Sequence, residues 1–326
     1  MMLENDKKPA CVGGEKILSL FTVIFLFLIV GSLLFYISLQ NKEKNDELKN
    51  KVLRQKIEKE NLLKLNALYM ASSTLPEITS KSFLTLAITN EGTKKILNQK
   101  NPTLVLPIAS VTKLMVGVII LENIDLNTEV TATLDYIGQE ESAFILETNK
   151  RYKVKELLAN ALISSDNDSA RLLSSTMGEK NFVDKMNLKA KEIGLINTNY
   201  INVTGLDPTG SSSELNVSTV TDLANLLIYI KNNHPEIFSI TAKTAYDFCD
   251  IENYCKNVIN TNKLLENKDM EFNIIGGKTG STDLAGKNLA LMTKILPGLY
   301  LINIVLGSEN NFIDTMSLIN NIKIIN

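Results

Sequence analysis

No charged side chain occurs between Ile17 and Asn41, and Ile17 to Leu39 is almost wholly apolar. A helix of that length, rising about 1.5 Å per residue, spans a bilayer core of about 30 Å. The run is longer than the apolar centre of a typical cleaved signal peptide, and no A-x-A-like site follows it. One transmembrane helix is therefore expected over residues 17–40, after a short cytoplasmic tail at 1–16. Residues 41–75 follow as a linker rich in Lys, Glu, Leu and Asn. Leu48, Val52, Leu62 and Tyr69 share one helical face there, which Gln55, Lys59 and Asn66 interrupt. A helical stalk fits this pattern better than a sustained coiled coil.

Orientation is contested within the sequence. Lys7, Lys8 and Lys16 precede the span, whereas Lys42, Lys44, Lys49, Lys51 and Arg54 follow it. That bias favours a cytoplasmic C-terminus. Glu43, Asp46, Glu47 and Glu58 interleave with these bases, and the chemistry read below needs the opposite side. The chemistry is given the greater weight.

The remaining stretch, 76–326, is long enough for one large domain. The whole chain has 326 residues, 44% hydrophobic and 21% charged, with a net charge of -2 and no basic block to meet nucleic acid. Its single histidine, His234, lies in a polar stretch before Pro235 and reads as a surface or helix-end residue. One histidine excludes H-E-x-x-H zinc sites and leaves any Ser-His-Asp arrangement dependent on His234 alone. No metal or cofactor is called for. Cys249 and Cys255 are close enough to close a hairpin through a disulfide in an oxidising compartment, with free thiols as the alternative.

Ser110 and Lys113 stand three apart at the head of the apolar run Leu114 to Leu121. In a helical turn both side chains share one face. A serine hydroxyl needs a base to become nucleophilic, and a lysine serves when burial lowers its pKa. A lone S-x-x-K would be read as a cap and a solvated lysine. Here Ser165-Asp166-Asn167 follows the apolar run 157–163, and Lys278-Thr279-Gly280 follows Ile274-Ile275-Gly276-Gly277. That order of three motifs matches penicillin-binding proteins and class A β-lactamases.

The coarse pattern places strands at Phe83 to Ile88, Lys95 to Leu97, Leu289 to Met292 and Leu299 to Leu306. Ser142 to Ser174 reads as mostly helical, and Phe182 to Ile193 as a helix ending at Gly194. Another helix is expected to start at Ser218, with that serine as its cap, and the chain closes with a helix near Phe312 to Ile322. Strands at both ends with helices between give an α+β fold: an antiparallel sheet flanked by helices, with a helical region inserted in the middle.

With these residues laid out, the chain resembles the D-alanyl-D-alanine carboxypeptidase family, serine peptidase family S11, among the low-molecular-mass penicillin-binding proteins. The resemblance runs from about Ser82 to Ile322. Beyond the three motifs it takes in Ile193-Gly194-Leu195 with Asn197-Thr198-Asn199-Tyr200-Ile201-Asn202, then Gly205-Leu206-Asp207, Ser218 to Ala224 and Asn260 to Leu265. It implies a β-lactamase/transpeptidase-like fold and an extracytoplasmic catalytic domain acting on peptidoglycan stem peptides, with β-lactams as inhibitors. It further implies that Ser110 forms an acyl-enzyme, Lys113 takes its proton, and Ser165 relays a proton to the leaving amine. Asn167 would hold the substrate backbone, Lys278 and Thr279 the terminal carboxylate, and Gly280 completes that third motif. The N–H groups of Ser110 and Ser281 would form the oxyanion hole.

Two departures stand out. Asp166 occupies a position where this family commonly has glycine, and the anchor lies at the N-terminus. A class A β-lactamase would place a glutamate in E-x-x-L-N, but Ser212 stands three residues before Leu215-Asn216. A D,D-endopeptidase shares all three motifs and is the closest rival, ahead of a β-lactam or peptidoglycan receptor that never turns over.

Overall fold

In the computed structural model the chain is described over residues 14–70, 77–138, 146–208, 214–267 and 272–324. The tail before Gly14, the start of the helical stretch expected from Ser142, and Ser212 lie outside them. The chain divides into two compact units, Met1–Lys59 and Glu60–Asn326. Helix α1 runs Gly14–Ala67. In the first unit the large apolar side chains from Phe25 to Leu39 are exposed, Phe27 at 75% and Phe35 at 68%. The helix is long and apolar enough to cross a membrane.

The second unit is built on a five-stranded antiparallel sheet. From the edge inward the order is Asn273–Thr282, Gly286–Leu296, Leu299–Ser308, Ser82–Thr89 and Lys94–Lys100. Side chains alternate between faces along a strand, and here both faces are apolar. Leu84, Leu86 and Ile88 join Ile302, Ile304 and Leu306 in the main core, shared with the helical region. On the other face, Ala87, Leu289, Leu291 and Leu301 pack against Leu65, Leu68 and Ile319. The end of α1, from Glu60, thus belongs to this unit. Lys95 Nζ fastens it by donating to the Leu68 carbonyl at 2.6 Å, and the strand Leu68–Met70 pairs with Ile322–Ile324.

The inserted region carries α2 (Lys113–Asn123), α3 (Val154–Ile163), α4 (Asn167–Ser174), α5 (Glu179–Ile193), α6 (Val220–Asn233) and α7 (Pro235–Thr241). The closing helix α8, Asn311–Asn320, covers the outer face of the sheet. Every side chain from Lys113 to Ile120 is buried, as expected of a helix that is apolar all round. α5 ends at Gly194, whose φ of 85° only glycine adopts without strain. Two expectations shift. Within the stretch read as helical, Arg151–Lys153 is a strand paired with Glu129–Thr131, because the alternation around buried Tyr152 favours a ribbon. The cap of α6 is Thr219, whose side chain accepts from Asp222 N–H, while Ser218 pairs with Leu106.

Cys249 and Cys255 face each other across the hairpin Ala245–Cys249/Cys255–Ile259 and are joined by a disulfide. In native, non-reduced protein both are expected to resist thiol alkylation, and reduction should cost about 2 kcal/mol by loop entropy. Full alkylation of both without reductant would refute the bridge.

Candidate active site

Three segments converge on Ser110. The first is its own turn, Ala109–Thr112, a 3₁₀ turn that leads into α2. Ala109 is held at φ 48°, a left-handed conformation that is costly for a residue with a Cβ. The turn sets Ser110 and Lys113 on one face, with Lys113 Nζ 2.9 Å from Ser110 Oγ. Nζ also donates to Asn167 Oδ1 and to the Thr204 carbonyl, each at 2.8 Å. Both of those oxygens can only accept. A neutral amine has two N–H bonds and one lone pair, so these contacts take both N–H bonds and leave the lone pair facing the serine hydroxyl. Lys113 is fully buried. Burial pushes its pKa down to about 7, against the attraction of the Asp166 carboxylate and with a smaller push from the Arg171 guanidinium.

The second segment is the corner between α3 and α4. Asp166 caps α4 by accepting from Ser169 N–H at 2.7 Å. Beneath it Asn160 donates to Ser169 Oγ and accepts from Ser164 Oγ. Ser165 sits at the corner with φ 66°. Its hydroxyl accepts from Lys278 Nζ at 2.8 Å, and Nζ also donates to the Thr279 carbonyl. Lys278 is 1% exposed. Desolvation, then the charge of Lys113, holds its pKa well below the usual lysine value.

The third is the edge strand Asn273–Thr282. A Cβ on Gly280 would lie 2.7 Å from the Ile108 carbonyl and 3.1 Å from Ser110 N, so glycine lets this strand run flush against the Ser110 turn. Thr279 Oγ1 meets Thr261 Oγ1 at 2.5 Å. Ser281 is exposed one pleat further on. Together Ser110, Ser165, Thr261, Thr279, Gly280 and Ser281 line a cleft of about 280 Å³ that continues to Lys287, Asn311 and Phe312. A larger cleft, of about 430 Å³, lies by the disulfide hairpin and contains none of the motif residues; its Lys150 is paired with Asp250 and Glu252.

The residues expected from the three motifs therefore come together. Sequence reading missed what holds them. Asn216 is 2% exposed and donates to Thr112 Oγ1 and the Asn202 carbonyl, while its Oδ1 accepts from Ile201 N–H. Asn202 Oδ1 in turn accepts from Gly205 N–H at 2.7 Å, shaping the loop that presents the Thr204 carbonyl to Lys113. Asn216, present in the sequence as Leu215-Asn216 without the glutamate of E-x-x-L-N, is thus a brace under the Ser110 turn. Asp207 ties the same loop to Thr282 and Leu284. His234 sits between α6 and α7, 3.0 Å from Glu122, away from these residues.

Gly205 gives this loop a sharp test. Its φ is 83°, and a Cβ there would lie 2.0 Å from the Ala109 carbonyl. Gly205→Ala is expected to lower the rate of acylation by penicillin at least about 100-fold, through a displaced Ser110. An unaltered rate would show that the loop does not position the nucleophile.

The family model for D-alanyl-D-alanine carboxypeptidase, peptidase family S11, matches residues 69–310. The chain belongs to peptidase family S11. A D-alanyl-D-alanine endopeptidase of Pseudomonas aeruginosa is 34% identical over 225 residues, 67% of this chain and 68% of that protein. Among solved structures, a D-alanyl-D-alanine carboxypeptidase from Mycobacterium tuberculosis aligns with a TM-score of 0.67 at 25% identity, covering 77% of this chain and 93% of the other. Penicillin-binding protein D2 of Listeria monocytogenes, in its ampicillin-bound form, aligns with a TM-score of 0.65 at 26% identity, covering 76% and 99%. The S11 chain is therefore a hydrolase on a penicillin-binding protein fold, with a mixed helical and antiparallel-sheet architecture.

Proposed function

We propose that this S11 peptidase hydrolyses the peptide bond on the C-terminal side of a D-alanine in peptidoglycan stem peptides, releasing terminal D-alanine. The observation that carries this is the environment of Lys113 Nζ: two pure acceptors at 2.8 Å, with its third contact the Ser110 hydroxyl. Ser110 Oγ attacks the D-alanine carbonyl carbon as its proton passes to Lys113. The oxyanion is met by the N–H groups of Ser110 and Ser281, each such donor contributing about 3 kcal/mol. The C–N bond then breaks, and the leaving amine takes a proton through Ser165, with Lys278 governing the field around it. Asn167 holds the substrate backbone, and Lys278 and Thr279 bind the carboxylate of the leaving D-alanine beside Gly280. Water cleaves the ester and frees Ser110.

A β-lactam follows the same first step, but its leaving group stays tethered in the site, so release is slow. The domain acts outside the cytoplasm, held to the membrane by residues 17–40.

Cleavage of cross-links is a second reading, favoured because the cleft continues past Thr279 to Lys287 and Phe312. The acyl-enzyme is the same; only the leaving amine differs. The test is D-alanine release and cross-link cleavage measured side by side on purified muropeptides. Release of either product supports a D,D-peptidase. Penicillin hydrolysis at many turnovers per second, with neither peptide product, would make the chain a β-lactamase.

A further inference from the structure

We infer that Lys287 and Phe312 form a subsite for an extended leaving group, the amine half of a peptide cross-link, and that Lys287 selects it through a carboxylate. This rests on the reading above and adds its substrate class. Lys287 lies on the strand next to the edge and pairs with Ser281 of the edge strand, one pleat beyond Thr279. Its side chain is exposed in the cleft and makes no ion pair among the described residues. The other two lysines of the site, Lys113 and Lys278, are buried, at 0% and 1% exposure, and burial lowers the pKa of each. Lys287 is thus the solvent-facing cation of this cleft among the described residues.

The wall beside it is built rather than incidental. Asn311, 4% exposed, donates to the Asn288 carbonyl at 2.7 Å. Asn288 donates to the Pro107 carbonyl at 3.0 Å and accepts from Gly307 N–H at 2.8 Å. The first turn of α8, with Phe312, is thereby fixed to the strand and to the segment that leads into the Ser110 turn. Phe312 is partly buried against the outer core, which leaves part of its ring to the cleft.

A terminal D-alanine ends at its carboxylate, at Thr279 and Lys278, and has nothing to place against this wall. A cross-linked partner stem does. It leaves through a side-chain amine, so methylenes follow the scissile nitrogen, and its backbone carries a further carboxylate. The methylenes suit the Phe312 ring, and the carboxylate suits an exposed ammonium. No added reactant is needed, since the bonds broken and formed are those of the reaction above.

The test compares wild type, Lys287→Glu and Lys287→Arg on two substrates, a monomeric pentapeptide muropeptide and a cross-linked dimer. The ratio of kcat/KM for dimer cleavage to kcat/KM for D-alanine release should fall roughly tenfold in Lys287→Glu. The fall should sit mainly in KM for the dimer, and Lys287→Arg should keep the wild-type ratio within about twofold. Raised salt should narrow the gap between the variants, because the charge is exposed. An unchanged ratio in Lys287→Glu would overturn the inference. So would a wild type that releases D-alanine yet leaves dimers intact, a result that spares the proposed function. A wild type that attacks neither peptide would overturn both.

Discussion

Ser110→Ala is expected to abolish labelling by fluorescent penicillin and to lower peptide hydrolysis by about 10,000-fold or more. Ser110 is the hydroxyl that sits 2.9 Å from the Lys113 amine. Ser165 also lines the cleft, but its neighbour is Lys278, which donates to its oxygen instead of leaving a lone pair toward its proton. The variant removes one partly exposed oxygen and leaves the strained Ala109 turn and its bracing by Asn216 intact, so the fold should survive. Intact-mass analysis after exposure to penicillin gives the answer directly. An adduct on the variant, at any other serine, would sink the assignment.

Lys113→Met should cost about 1,000-fold in acylation, within the usual range for loss of a positioned base. The wild-type pH profile carries the sign. The base is the neutral amine, and Lys113 loses its proton at about 7. Acylation should therefore rise through neutrality, with about a tenth of the plateau rate at pH 6 and nearly all of it by pH 8.5. Stability moves in the same direction. The folded-state pKa lies below the unfolded value, so the unfolded chain binds the extra proton between about pH 7 and 10, and folding is favoured as pH rises through that window. Lys113→Met removes that proton linkage, so its melting temperature should lack the rise with pH that wild type shows through that window. A penicillin acylation rate that stays flat from pH 5 to 9 would remove Lys113 from the role of base.

The same comparison shows what local sequence can carry. The three-residue step from Ser110 to Lys113 places both on one face of any helical turn, whether α or 3₁₀. Asp166 belongs to a cap pattern legible three residues ahead of Ser169. The short, near-continuous apolar runs 83–88 and 299–306 indicate strands buried on both faces, and the uncharged run from Ile17 is apolar enough for a bilayer whatever surrounds it. The strand Asn273–Thr282 is not among those that the sequence pattern indicates. Gly276, Gly277 and Gly280 weaken its strand pattern, yet they are there because Phe238, Ala290 and Ile108 come too close for any side chain.

From the sequence alone, then, come the long apolar helix, the alternation of strands and helices, and the identity and order of the motif side chains. Each depends on spacings of a few residues, where chain geometry leaves little freedom. Tertiary structure alone decided which groups surround them. Lys113 reaches a backbone carbonyl 91 residues away, and Lys278 a hydroxyl 113 residues away. Asn216 and Asn288 brace the Ser110 turn and the segment leading into it from loops and strands that local pattern does not link to them. A carbonyl has no residue signature, and an asparagine that braces looks the same in sequence as one that faces water. The protonation state of Lys113, on which the proposed chemistry turns, follows from burial by all of these segments at once and is written in none of them singly.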